Sequence, residues 1–238
     1  VGASDAAARL EMARGLLQRA EDRADRARPA PEVDGRVLPV VAPLARLLPA
    51  GGLRRGTTVA VPAAPAATSL LWAVLAEASA DGAWVGVVGR PDLGLVAAAE
   101  AGMRLERLAL VPSPGHELVA VTSALLDGLD VVVMVGTRPV PAGERQRLAA
   151  RARQRGAVLC ALGPWPGADV RLSCTDARWN GLDGGSGRLG ERQVTVRVLG
   201  RGLAPAGREE RLLMPGRSGA PVAPTPAEAP AARVRLAG

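Results

Sequence analysis

Between Val37 and Leu203 the chain alternates short β-branched runs with Ala/Leu-rich stretches, and this alternation constrains its fold more than any other feature. It predicts strands over Thr57–Val61, Trp84–Val88, Leu108–Val111, Val131–Val135 and Val158–Leu162. Between them it predicts helices near Thr68–Ser79, Leu93–Ala101, Glu117–Asp127 and Gly143–Arg155. The strand candidates are apolar throughout, with little inside–outside alternation, so both of their faces must be covered. That is the signature of a parallel sheet between two helical layers. Right-handed crossovers then make the domain a doubly wound, three-layer α/β fold. Arg171–Thr175 and Gln193–Leu199 read as antiparallel closing strands, joined by the turn-rich stretch Asn180–Gly190.

The flanks read differently. Ser4-Asp5 caps a run in which Leu10, Ala13, Leu16 or Leu17, Ala20, Ala24 and Ala27 recur every three or four residues. Residues 1–28 are therefore an expected amphipathic helix, stopped by Pro29 and Pro31. Residues 29–36 form a linker and 37–203 the core domain. Residues 204–238, rich in Pro, Ala, Gly and Arg without periodicity, are an expected disordered basic tail. A 48% apolar share supplies a core, and no apolar run reaches the ~18–20 residues of a membrane span. There is no basic-then-apolar signal layout, so the expected location is cytoplasmic, in association with the nucleoid.

Composition also removes chemistry. All 30 basic side chains are arginine, there is no Tyr or Phe, and the aromatics are Trp72, Trp84, Trp165 and Trp179. No lysine amine or tyrosine hydroxyl can act in a mechanism. Cys160 and Cys174 are too few for a disulfide framework or a zinc cluster and read as buried thiols. His116 is the only histidine, which excludes two-His metal sites, and its Pro-Gly-His-Glu setting marks a helix start.

The segment Gly51-Gly52-Leu53-Arg54-Arg55-Gly56-Thr57-Thr58-Val59-Ala60-Val61 resembles the lead-in to the RecA recombinase core, and the strand and helix order from Val37 to Gly202 is similar to that family. The resemblance implies strand order 3-2-4-5-1, with Asp130 introducing the fourth strand. It also shows what has been lost. A working phosphate loop cradles phosphates with backbone N–H groups, reaches them with lysine and holds Mg²⁺ with a hydroxyl. Here the stretch reads Val61-Pro62-Ala63-Ala64-Pro65-Ala66-Ala67-Thr68-Ser69. Both glycines are gone, Pro65 removes a donor, Ala67 stands at the lysine position, and only Thr68 keeps its chemistry. Pro62 carries little meaning, since the RecA pattern has a proline there too. Arg90 stands where the family has a glutamate, and the fourth strand ends in Val135-Gly136 rather than an aspartate. The expectation is a chain without ATPase activity, cofactor or metal.

The family's DNA-binding loops are reduced to Thr137–Ala142 and Gly163–Ala168, which carry one arginine between them. Any nucleic-acid contact is therefore expected to be nonspecific, through Arg208, Arg211, Arg217, Arg233 and Arg235 of the tail. What such a core keeps is the family's subunit-contact groove at the edge of the sheet. Carried over residue by residue, the groove comprises Val85, Val87, Ala109, Val111, Leu118, Thr122 and Leu125. Size, the lone N-terminal helix and the eroded motifs resemble the ImuA-prime family of actinobacterial mutasome accessory factors. That resemblance implies a non-catalytic adaptor in DNA-damage-induced translesion synthesis. Its partner would be ImuB, an inactive Y-family-like polymerase, and through it a sliding clamp and an error-prone polymerase, with RecA as a further possible partner. The alternatives are a SulA-like inhibitor of cell division and an ATPase with a relocated nucleotide site.

Overall fold

The computed structural model describes residues 35–136, 139–183, 186–216 and 221–222. The expected helix over residues 1–28 and most of the linker lie outside the described residues. A short antiparallel pair, β1 (Val37–Leu38) and β2 (Leu53–Arg54), brackets a one-turn helix α1 (Ala42–Ala45). The parallel strands follow: β3 (Thr58–Val61), β4 (Val85–Val88), β5 (Leu108–Val111), β6 (Val131–Val135) and β7 (Val158–Leu162). Helices α2 (Ala67–Ala80), α3 (Leu95–Glu100), α4 (Leu118–Leu125) and α5 (Ala142–Arg155) connect them. Strand β8 (Val170–Asp183) runs parallel to its neighbour β3 and pairs antiparallel with β9 (Ser186–Gly200), which pairs antiparallel with β10 (Arg208–Leu213), completing one eight-stranded sheet.

The sheet order is β10-β9-β8-β3-β7-β6-β4-β5. Counting only the parallel strands, this is 3-2-4-5-1 read from the β5 edge, as the resemblance implies. Every parallel strand except β5 is buried at nearly every position, which explains its unbroken apolar sequence. One core layer packs α2, with the fully buried Trp72, between the sheet and residues 38–48. The other packs α4 and α5 on the opposite face. Asp130 fastens the lower ends of the strands, accepting from Arg55 Nη2 at 2.7 Å and from the Trp84 backbone N–H at 2.9 Å. His116 sits in a 3₁₀ turn that opens α4, in keeping with the expected helix start. Both cysteines are buried.

Two expectations need correction. The stretch Asn180–Gly190 is mostly strand rather than turn, because β8 and β9 continue their pairing past bulges at Thr175/Arg178 and Asn180/Leu182. Its Gly and Asp content hid the extension, and Asp176 takes φ 53 at the first bulge. The tail also starts later than Ala204. Arg208–Leu213 pairs with β9 from Arg208↔Val198 to Leu213↔Gln193, with Leu212 fully buried. Val222 then bridges to Leu213. Arg217, Arg233 and Arg235 lie outside the described residues.

Candidate functional site

In a doubly wound sheet, ligands bind beyond the carboxyl ends of the parallel strands, so the loop from β3 into α2 is the first place to look. Ala66, with φ −107° and ψ 4°, precedes the first turn of α2, and no side chain caps that helix. Ala66 and Ala67 are buried in the core, so the residue at the lysine position points inward. The corner is filled by Arg192 of β9, a residue the sequence reading passed over. Its Nη1 donates to the Pro65 carbonyl at 3.2 Å, its Nη2 to Ser69 Oγ at 2.7 Å, and its Nε to the Met214 carbonyl at 3.0 Å. The guanidinium also lies 4.9 Å from the centroid of the Trp179 ring.

Arg192 is 6% exposed, and burial pulls its guanidinium below the usual arginine range. A cation at a helix N-terminus opposes the helix dipole by about 0.3–1 kcal/mol. Three hydrogen bonds to acceptors on the loop, the helix and the β10 exit outweigh that penalty, since bonds to a charged donor contribute about 1.5–3 kcal/mol each. The same corner in a nucleotide-binding fold presents donors to an anion. Here a donor from the protein's own hairpin has taken up the loop's acceptors.

The other two motif positions are equally changed. Gly89 follows β4 with φ 87°, and a Cβ there would collide with the Val135 carbonyl oxygen, so the turn admits only glycine. Arg90, at the glutamate position, has its Nε on Asp92 Oδ1 at 2.7 Å. That bond holds the exposed Asp92 carboxyl below its ordinary value. After β7, Trp165 of the shortened loop is buried against the α4/α5 layer, not offered for stacking.

The sheet edge has a different geometry from the one carried over by resemblance. Val85, Val87, Ala109, Thr122 and Leu125 are all buried, and Thr122 Oγ1 donates to the Leu118 carbonyl. Only Val111 and Leu118 are partly open. The register pairs Val85 with Leu108 and Val87 with Leu110. With side chains alternating, Val85 and Val87 therefore share the α2 face with Leu108 and Leu110, while Ala109 and Val111 face α4. The seven residues do not form one groove. What is open is the strand itself. Gly89 N–H donates to the Val111 carbonyl, so alternate residues Ala109 and Val111 turn their peptide groups toward β4. Leu108 and Leu110 turn theirs outward. Val96, 73% exposed, and Leu95 on the crossover helix α3, with Leu105 in the turn that leads into β5, are also left exposed.

Arg208 and Arg211, expected in a tail, are fixed on β10, where Arg208 Nη1 donates to the carbonyls of Arg46 and Leu48. Among the described residues, no group of three or more His, Cys, Asp or Glu is placed to hold a metal ion, and no helix is long and apolar enough to cross a membrane.

Comparison with known proteins agrees with this architecture. The RadB recombinase structure superimposes with a TM-score of 0.52 at 15% identity, covering 74% of this chain and 94% of that one. That likeness shows a RecA-like fold. An uncharacterized protein of Mycobacterium tuberculosis, Rv3395c, is 43% identical over 109 residues, which are 45% of this chain and 53% of that protein. The chain thus matches about half the length of this curated relative. The model of the MT3502 N-terminal domain matches residues 46–167, from just after α1 to past the end of β7. Since that match takes in just over half of the chain and all five parallel strands, the protein belongs to the MT3502 N-terminal domain family.

Proposed function

We propose that this chain is a non-catalytic adaptor on a RecA-like scaffold, acting in DNA-damage-induced translesion synthesis by binding ImuB, the inactive Y-family-like polymerase. The observation that carries this reading is the open β5 edge, with outward peptide groups at Leu108 and Leu110, in a chain whose crossover helix and lead-in turn to that strand keep Leu95, Val96 and Leu105 exposed. An unpaired edge gives a partner backbone hydrogen bonds, and apolar neighbours give it side-chain pockets. The Arg192 clamp supports the non-catalytic half of the proposal, because the guanidinium at this corner is committed to Pro65, Ser69 and Met214 instead of being free to hold a phosphate. ATPase activity has no lysine to draw on and no carboxylate at the glutamate position.

Two variants test the docking surface, one at an exposed side chain and one at an edge amide whose side chain packs in part on the α2 layer. Val96→Asp places a charge on an exposed apolar position, and Leu110→Pro removes an outward donor while sparing the ladder to β4. Each should reduce co-purification with ImuB at least tenfold while leaving the circular dichroism spectrum unchanged. Undiminished ImuB binding by both folded variants would remove the proposed surface. Capture of FtsZ in place of ImuB would replace the reading with a SulA-like one, and micromolar binding of ATP with Mg²⁺ by calorimetry would overturn the non-catalytic half.

A further inference from the structure

Strands β8–β10 carry a surface that the adaptor reading does not use. Their inner face is apolar: Leu172, Val194, Val196, Val198 and Leu212 are all fully buried against the α2 layer. Among the described residues the packing of α4 and α5 is confined to strands β3–β7, so no helix covers the outer face of β8–β10, although Thr195 on that face is buried. Period-two alternation and the register place Arg171 and Arg178 of β8, Arg197 of β9 and Arg211 of β10 on that outer face. Arg171, Arg178 and Arg211 form no hydrogen bond or ion pair among the described residues, and Arg197 bonds only the Ala206 carbonyl. From the Arg171 level to the Arg178 level, Asp176 and Glu209 are the carboxylates on this face, so it is net positive.

The arrangement is linear. Arg171 is level with Leu199, Arg197 with Ser173, and Arg211 with Thr195, each step moving one strand across and two residues along. With strands ~4.8 Å apart and two residues spanning ~6.7 Å, the guanidinium bases follow a diagonal at about 8 Å spacing. At its end a recess of about 250 Å³ is lined by Asp176, Arg178, Gln193, Thr195 and Arg211.

We propose that this diagonal is a binding track for the phosphodiester backbone of single-stranded nucleic acid. Guanidinium forks match phosphate oxygens two at a time, and the amide of the half-buried Gln193 stands beside them as a neutral donor. A flat face has no element to insert in a duplex groove, which favours an extended single strand. Acidic polypeptides instead bind sheets by adding to an edge. Trp179 lies on the inner side against Arg192, so the track has no aromatic platform and binding is electrostatic and sequence-tolerant.

The test is fluorescence anisotropy of a labelled oligothymidylate with the full chain, whose tail arginines stay constant in every variant. Binding should be measurable at about 50 mM salt and fall steeply by about 200 mM. Arg171→Gln with Arg211→Gln should lower the log–log salt slope by about 0.7 per arginine removed, and charge reversal at the same two positions should cost at least tenfold in affinity at low salt. Arg147→Glu with Arg153→Glu, exposed on α5, should leave binding within about twofold. The proposal falls if oligothymidylate does not bind at low salt, if the sheet variants bind like the parent, or if the α5 variant loses as much as they do. Equal displacement of the oligonucleotide by poly-glutamate at matched charge would make the ligand an acidic polypeptide and would also overturn it.

Discussion

The two ends of the eight-stranded sheet offer opposite things to a partner. At the β5 end the strands are parallel and covered on both faces, so what remains available is backbone: the outward peptide groups of Leu108 and Leu110. At the β10 end the strands are antiparallel and covered on one face only. There the edge is partly closed, by the Leu213–Val222 bridge, the Arg46–Glu210 ion pair at 2.9 Å and the Arg208 contacts to Arg46 and Leu48. What remains is a field of side chains. The difference follows from helix count: strands β3–β7 are joined by four crossover helices, while β8, although parallel to β3, is reached by a loop, and β9 and β10 follow it as a hairpin and a return strand, so none of the three brings a helix.

Each half holds one buried thiol, and together they give the largest expected effect. Burial pushes Cys160 of β7 up to about 12, and Cys174 of β8 up to about 11, where nearby Arg192 offsets part of the shift. An unfolded thiol titrates near 8.5, so above about pH 9 the unfolded chain sheds protons that the folded chain retains. Stability is therefore unaffected below that pH and falls above it, by about 1.4 kcal/mol per unit for each thiol. The loss from Cys174 levels off near 11 and that from Cys160 near 12. With neither lysine nor tyrosine in the chain, few other groups titrate in this window. Urea unfolding between about pH 8 and 11 should show the slope, and replacing both cysteines by valine should flatten it. A slope that survives the double replacement would sever the link to the two halves.

The next effect concerns the residue that joins them. Arg192→Ala strands three acceptors, the Pro65 and Met214 carbonyls and Ser69 Oγ, and should cost about 3–5 kcal/mol in urea unfolding. Ser69→Ala removes one partner and should cost about 1 kcal/mol. If Arg192→Ala unfolds in two separate transitions, the clamp is what makes the halves cooperative. A loss below about 1 kcal/mol would show that loop and hairpin are held by other contacts.

Much of the parallel half was legible because burial on both faces writes itself as unbroken Val, Leu and Ala. Leu108–Val111, Val131–Val135 and Val158–Leu162 were read to the residue. The clamp was not, since Arg192 lies 127 residues from Pro65 and is one of 30 arginines. A signal was present all the same. Val194, Val196 and Val198 set an inward parity on β9, and Arg192 continues it, so a charge was due to be buried there. Strand β10 was hidden for the opposite reason: Arg208-Glu209-Glu210-Arg211 shows no alternation, and its Pro- and Gly-rich surroundings read as tail. The edge groove failed on parity, which a list of positions carried over from another family does not keep unless register is counted.

The smallest effect sharpens the comparison most. Leu110→Pro should cost no more than about 1 kcal/mol beyond Leu110→Ala, which accounts for the lost packing on the α2 layer, because at an edge strand the lost N–H faces solvent and the remaining change is in φ. The same substitution inside the ladder would cost about 3 kcal/mol. Urea midpoints decide between them. A loss at the larger value would mean that the Leu110 amide points to β4, so that Ala109 and Val111 face outward and the backbone offered at this end belongs to the residues whose side chains pack on α4. Docking at the β5 end would then need a partner approaching from the α4 face instead.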